Sequence, residues 1–427
     1  MATTYLQRST GTPTSQTKFT VSAWVKRSGL NPSGNNMDIF CIYSDSSNRM
    51  HLRFQEDDID VINYGGSTQA RLTTDRKFRD TNSWYHIVWR VDTTLATADD
   101  RVRLYINGVQ ETSFSVRTNR SQNFSFGTNW NITRIGLDNS SAYFDGIISH
   151  FHYSDGYSYA PTVFGSTDST TGEWKINTSP TFTLGNNGFT VLKDGNTITD
   201  QSSNSNDFSA GGATLTKTED CPSNVFNCFN PNIPLHSDLT LSNGNTTLSS
   251  TNGQWLGTLT TMPLFGGKWY YECKYNTGHG IKLSIQGYKA DLRHWATANN
   301  SYGEYNDNGY GYQFNNSGND YLGNNASAPN WGGGLSSNTG NKIYMVALNL
   351  ENGNIWYGAD GTWFDDASGN TGNPSTDAYP HQTISATHLA QTPLLVCGSV
   401  EGNGATMNWN FGNGYFGTTA VSSAGNN

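Results

Sequence analysis

Glu56-Asp57-Asp58-Ile59-Asp60 sets acidic side chains at alternating positions, so on an extended strand Glu56, Asp58 and Asp60 share one face. Retaining cleavage of a glycosidic bond uses two carboxyl groups about 5–5.5 Å apart, a separation this spacing permits. Between Phe54-Gln55 and the run VINY the same residues also read as a solvated strand end or turn, and the sequence assigns no catalytic residue. His150 and His152 project from one face of a strand and, with Asp155 or His86, could chelate a metal. Alternating histidines on an exposed strand are equally ordinary polar surface. Asp45, Asp99-Asp100 and Asp365-Asp366 offer carboxylates to calcium without the dense oxygen-ligand spacing it needs. HExxH, GxSxG and GxxxxGK are all missing. The expectation is a protein that is not an enzyme, with no metal site and no cofactor.

Binding chemistry is better represented. Sugars are held by flat aromatic faces and planar amides, and residues 286–340 are rich in both. Tyr288, Trp295, Tyr302, Tyr305, Tyr310 and Trp331 alternate there with Asn299, Asn300, Asn306 and Asn330. Tyr and Asn also suit adaptable protein-binding loops. These ten residues form the candidate binding surface.

The elements that must carry these groups are strands. Helical periodicity is nearly absent, while two-residue alternation recurs along the chain. Phe19, Val21, Ala23 and Val25 share one face of FTVSAWVK, and Tyr85, Ile87, Trp89 and Val91 do so in WYHIVWRV. Val102, Leu104 and Ile106 lead into Asn107-Gly108, a pair suited to a type I′ hairpin turn. RIGLDNSSAYFDGIISHFHY reads as strand, turn, strand. From Leu239 a second strand-rich block begins. KWYYECKY alternates Trp269, Tyr271, Cys273 and Tyr275 against Tyr270, Glu272 and Lys274. NKIYMVALNLENGNIWYGADGTWF supplies two strands around Glu351–Asn354 and a further turn at Ala359-Asp360-Gly361. LLVCGSV and MNWNFGN complete the block, the latter with Met407, Trp409 and Phe411 on one face. Between the blocks, residues 166–235 are polar and turn-rich. They form an ordered connector, because Trp174, Phe182, Phe189, Phe208, Phe226 and Phe229 would otherwise be exposed.

Composition agrees. The 427 residues are 14% charged and 13% aromatic, with 46 glycines, so burial rests on large rings and turns on Gly and Asn. A net charge of −9 without a basic cluster argues against nucleic acid, and no apolar run reaches the ~20 residues of a membrane-spanning helix. Met1 to Ser28 lacks the charged start and apolar stretch of a secretory signal, so release from a cell would use another route, such as lysis. Five cysteines cannot all pair internally. Cys41, Cys273 and Cys397 sit in apolar strands, while Cys221 and Cys228 could pair or stay free.

FTVSAWVKRSG, WYHIVWRVD, RVRLYINGVQ and YFDGIISHFHYSDG together resemble the laminin-G/concanavalin A-like jelly roll, over most of residues 1–165. KWYYECKY, GYGYQFN, NKIYMVALNLENGNIWYGADG and MNWNFGN resemble the SPRY domain, over about 236–418. The YLQR start, FGSTDSTTGEWK and CPSNVFNC are similar to segments of marine tailed-bacteriophage virion proteins. The expected fold is therefore all-β: two antiparallel β-sandwich (jelly-roll) domains, 1–165 and 236–418, joined by an irregular connector, 166–235, with a polar tail, 419–427. The resemblance implies a virion surface protein, a tail-fibre or capsid-appendage subunit made in the host cytoplasm. It would bind a host-surface glycan or protein, contact other virion proteins, and form a symmetric homo-oligomer such as a trimer that adds avidity. Two other functions fit the same residues: a structural decoration or connector protein binding mainly other virion proteins, and a polysaccharide-degrading enzyme using the acids at 56–60.

Overall fold

A computed structural model describes residues 3–30, 36–193, 197–276, 280–287, 309–315, 320–324, 342–390, 393–402 and 404–421. The chain is almost entirely strand and turn. It divides into two compact units, Met1–Val225 and Phe226–Asn427.

In the first unit, two antiparallel sheets enclose one core. The larger has eight strands among the described residues, in the order Phe114–Thr118, Thr68–Lys77, Asp58–Gly65, Asn48–Gln55, Asn36–Asp45, Ile132–Ile135, Tyr5–Ser9, Ser209–Gly211. The smaller has six: Phe189–Val191, Gly146–Asp155, Lys18–Arg27, Tyr85–Asp92, Val102–Ile106, Val109–Gln110. Alternation directs Phe19, Val21, Ala23 and Val25 of one sheet, with Phe40, Leu52, Val61 and Leu72 of the other, into the shared core. The turn at Asn107-Gly108 has φ of 49° and 79°, the positive pair that a two-residue hairpin requires.

The segment expected as a connector contributes to this unit directly. Phe189–Val191 pairs with Gly146–Asp155 at one sheet edge, and Ser209–Gly211 pairs with Tyr5–Ser9 at the edge of the other. Phe189 and Phe208 are buried and meet edge to face, with ring centres 4.8 Å apart. Asp220 accepts from Lys26 Nζ at 2.7 Å and from Trp84 Nε1 at 3.0 Å, tying the end of the segment to the smaller sheet. All five thiols are free, Cys221 and Cys228 included.

The second unit repeats the two-sheet plan. One sheet runs Leu239–Ser242, Thr247–Ser250, Thr406–Asn410, Lys268–Tyr275, Ile343–Asn349, Asn354–Ala359, Thr362–Trp363, with Gln382–Thr383 also pairing on Asn354–Ala359. The other runs Trp255–Leu259, Leu394–Glu401, Gly280–Gly287, Gly309–Asn315, Asp320–Asn324. Tyr271, Cys273, Tyr275, Met407 and Trp409 face Ile281, Leu283, Ile285, Val396 and Val400 in the core. Asp360-Gly361, with φ of 50° and 82°, closes a second two-residue hairpin. Of the expected tail, Thr419–Ala420 pairs with Tyr415–Phe416, and residues 422–427 lie outside the described part.

Candidate functional site

Asp57, Asp58 and Asp60 of the 56–60 cluster are accounted for by their neighbours. Register sets Arg53 and Thr73 opposite Asp60, one on each flanking strand, with Arg71 on the same face. Asp60 is fully buried. Its Oδ2 accepts from Arg53 Nε at 3.0 Å, and its Oδ1 accepts from Arg71 Nε at 2.8 Å and Thr73 Oγ1 at 2.7 Å. Asp58 lies 2.6 Å from Lys77 Nζ, and Asp57 accepts from Arg79 and pairs with Arg27. Glu56 occupies the turn, at φ 55°. A carboxylate whose lone pairs are taken up by guanidinium groups is neither a ready nucleophile nor a proton donor. These acids lock three strands together.

On the outer face of the smaller sheet, Ser22 and His86 look at first like a nucleophile and its base. Ser22 Oγ lies 2.9 Å from His86 Nε2, and Trp174 Nε1 lies 2.9 Å from His86 Nδ1. An indole N–H can only donate. Nδ1 is therefore the acceptor, the ring proton sits on Nε2, and Nε2 donates to Ser22. A base in that tautomer has no lone pair for the serine proton. Burial holds the His86 pKa down at about 3, so the ring stays neutral, stacked on Trp24 and nearly coplanar with Trp174.

His150 and His152 do not form a metal centre. A bulge between Ser149 and His152, with His150 at φ 47°, alters the local register. His150 Nδ1 is 2.7 Å from Ser149 Oγ, and His152 Nδ1 is 2.9 Å from Thr190 Oγ1. Asp155 Oδ2 accepts from the backbone N–H groups of Thr14 and Asn187 and so ties down two loops. Among the described residues, no group of three or more His, Cys, Asp or Glu is placed to hold a metal ion. The loop acids cap turns or pair locally: Asp45 accepts from Ser47 N–H and Asp366 from Asn370 N–H, while Asp99 and Asp100 pair with Arg117 and Arg103.

Both histidines are buried, which the strand pattern alone did not indicate. Residues 156–182 fold back over the sheet and lay Tyr159, Phe164 and Phe182 on its outer face. His152 stacks on Phe164 and meets the Phe182 edge, each with ring centres 5.6 Å apart. Burial, chiefly, and the neighbouring His150, His86 and Lys193 hold the His152 pKa down at about 3. Beside this layer lies an open cavity of about 250 Å³. Phe182, Pro180 and Leu184 give it an apolar wall, and His152, Thr190, Gln201, Ser202 and Lys193 supply polar atoms. Most of this lining comes from the segment read as a connector, and of the lining residues the sequence singled out only His152, as a metal ligand. The available signal was Phe182 and Pro180 standing a short way before the polar run DQSSNSN.

Of the ten candidate loop residues, Tyr288, Trp295, Asn299, Asn300, Tyr302, Tyr305, Asn306, Asn330 and Trp331 lie outside the described residues. Tyr310 is described, and it corrects the expectation. It is a strand residue, 3% exposed, whose hydroxyl meets His388 Nδ1 at 2.8 Å and accepts from Ser385 N–H. Its ring fills the core and leaves no face for a ligand. Trp269, expected on the inward face with Tyr271, is 46% exposed, and Phe265 in the preceding turn is 69% exposed. Trp269 stands at the strand's start, where Nε1 donates to Gly266 C=O at 2.6 Å.

Residues 1–163 match the family model described as the concanavalin A-like lectin/glucanases superfamily. No curated protein matches the chain. Similar solved structures include the PSpry domain of TRIM65, at 13% identity, TM-score 0.32, 43% of this chain and 88% of that one. The SPRY domain of human HERC1 is similar at 13% identity, TM-score 0.28, 44% of this chain and 94% of that one. Domain 4 of AbnA, an extracellular arabinanase from Geobacillus stearothermophilus solved with arabinotriose, is similar at 19% identity, TM-score 0.26, 35% of this chain and 65% of that one. Over residues 1–163, then, the two-sheet sandwich is similar to the concanavalin A-like lectin/glucanases superfamily.

Proposed function

We propose that this chain is a non-enzymatic surface-binding protein of a virion, a tail-fibre or appendage subunit, whose ligand is a host-surface glycan. The matched superfamily joins sugar binders and sugar cleavers in its description. One observation favours binding: Asp57, Asp58 and Asp60 are held in place by Arg27, Arg79, Lys77, Arg53 and Arg71, which leaves no two carboxyl groups of residues 56–60 free to act as a pair in hydrolysis. The virion setting rests on the sequence similarity of FGSTDSTTGEWK and CPSNVFNC, and oligomerisation would raise weak single-site affinity by avidity.

The purified chain should bind a subset of a glycan array saturably and release no reducing sugar from it. Sugar release that disappears in Glu56→Gln or Asp58→Asn would replace this function with hydrolysis. A second reading, attachment to other virion proteins, is favoured by the exposed rings of Phe265, in a turn, and Trp269, at the start of the strand that follows. Under that reading the array stays blank, and Phe265→Ser with Trp269→Ser abolishes incorporation into particles.

A further inference from the structure

The cavity beside Phe182 has a composition that narrows its guest. At about 250 Å³ it falls below the ~300 Å³ where pockets for drug-sized ligands begin, which limits the occupant to roughly one ring. Its apolar wall is a phenylalanine edge, a proline and a leucine, suited to the C–H face of a pyranose. Its polar side carries hydroxyls and amides, suited to sugar hydroxyls.

The charge is one-sided. Lys193 lines the cavity and no carboxylate does. Lys193 makes no ion pair among the described residues. Asp200, next to Gln201 in sequence, has its oxygens occupied by the backbone N–H groups of Thr190, Ser202 and Asn206. His152 is neutral, with Nδ1 2.9 Å from Thr190 Oγ1. The chain's net charge of −9 would repel an anion at long range. That repulsion is screened beyond about 8 Å at physiological salt, whereas a contact with Lys193 is not.

We infer that this cavity binds a negatively charged pyranose, a uronate or a sulfated sugar, with the ring against Phe182 and Pro180 and the anionic group against Lys193. The inference rests on the reading of the chain as a glycan binder and names the ligand class of one site. The anionic group would replace water at the ammonium with a charge-assisted hydrogen bond, while neutral hydroxyls meet His152 and Gln201.

The test is titration of the full chain with galactose, galacturonate and galactose 6-sulfate, followed by protein-observed NMR. At least one charged sugar should bind about tenfold or more tightly than galactose, the difference a hydrogen bond to a charged group supplies. Lys193→Gln should erase that preference, whereas Lys175→Gln, outside the cavity, should leave it. Ser179→Trp, introduced from an exposed position at the cavity wall, should block all three sugars. Equal binding of galactose and the charged sugars, or a preference that survives Lys193→Gln, overturns the inference. If the array binds neutral glycans while both charged sugars are silent, this inference falls and the glycan reading stands. A blank array together with silent sugars removes both.

Discussion

The first sandwich buries ions and pairs them beside a core whose rings are mostly phenylalanines, whereas the described core rings of the second are mostly tyrosines. In the first, Lys26 meets Asp220, Arg27 meets Asp57, Asp60 takes Arg53 and Arg71, and Asp38 meets His51 Nδ1 at 2.5 Å. In the second, the ion pairs among the described residues are His236–Asp238 and Lys342–Asp360, both partly exposed. Its core rings carry polar atoms instead: the hydroxyls of Tyr271, Tyr275, Tyr312, Tyr344 and Tyr357 and the indole of Trp409. Lys282, buried there, lies over the Trp255 ring at 4.4 Å. Two ways of filling a sandwich follow. One depends on charge state and partner pairing, the other on area and on where the hydroxyls point.

The largest expected contrast is with acid. His86 and His152 have folded pKa values near 3, below the ordinary 6.5. Unfolding therefore takes up protons between those values. The stability these rings contribute is complete above pH 6.5 and drains away as pH falls toward 3. By pH 4 the loss is on the order of 3 kcal/mol per imidazole. Asp38 and Asp155, whose carboxyl pKa values burial raises, work in the opposite direction and offset part of it. In the second sandwich His381 is also lowered, chiefly by burial, so among the described residues one depressed imidazole there stands against two here. Buried thiols report on each unit separately: Cys41 in the first, Cys273 and Cys397 in the second. Urea unfolding read by pyridyl-disulfide labelling should show the Cys41 midpoint falling more than the other two between pH 7 and pH 4. Midpoints that fall together would break the contrast.

Next in size is the buried pair that anchors the connector. Asp220→Ala takes the carboxylate from a Lys26 ammonium that is 2% exposed and the acceptor from the Trp84 indole. Breaking a buried pair from one side costs about 3–5 kcal/mol. Replacing both, Lys26→Met with Asp220→Leu, should recover most of that loss, since no charge is then stranded. The urea midpoint at Cys41 reads both effects, while Cys273 should stay unmoved. A single variant that unfolds no earlier than the wild type would show that the pair contributes little.

The local parts of this architecture were legible from residues alone. Asn107-Gly108 and Asp360-Gly361 announce hairpins because positive φ is a property of two adjacent residues. Period-two runs place Phe19 through Val25 and Tyr271 through Tyr275 correctly, because a sheet with one core face imposes that period. Relationships set by distant chain were not legible. Nothing near His152 in sequence says that Phe164 and Phe182 will cover it, so its strand read as exposed. Asp60 stayed open as a catalytic alternative because Arg53 and Arg71 reach it only through cross-strand register. Trp269 obeys the alternation but stands where the strand begins, beyond the cover of the core, and Tyr310 sat at the border of a loop-rich stretch yet forms a central strand. The cavity was not legible because its wall, its lysine and its amides lie up to two dozen residues apart within 179–203, and His152 reaches them from the sheet only through folding.

The smallest effect sharpens the aromatic side of the comparison. Tyr357 donates its hydroxyl to Gln382 Oε1 at 2.9 Å inside the second core, and Gln382 Nε2 in turn donates to Gly323 C=O at 2.7 Å. The Tyr271 hydroxyl is buried with no hydrogen-bond partner. Both residues lie in the same core and lose the same atom on replacement by phenylalanine, so the difference between the two variants isolates hydroxyl satisfaction from ring area. Tyr357→Phe leaves Gln382 short of a donor and should cost about 1–2 kcal/mol, whereas Tyr271→Phe relieves a desolvated hydroxyl and should be neutral or stabilising by up to about 1 kcal/mol. Urea midpoints at Cys397 should therefore move in opposite directions or by clearly unequal amounts, at any pH between 5 and 8, because neither hydroxyl ionises there. Equal losses from the two variants would mean that ring packing alone stabilises this sandwich and that its hydroxyls are energetically interchangeable.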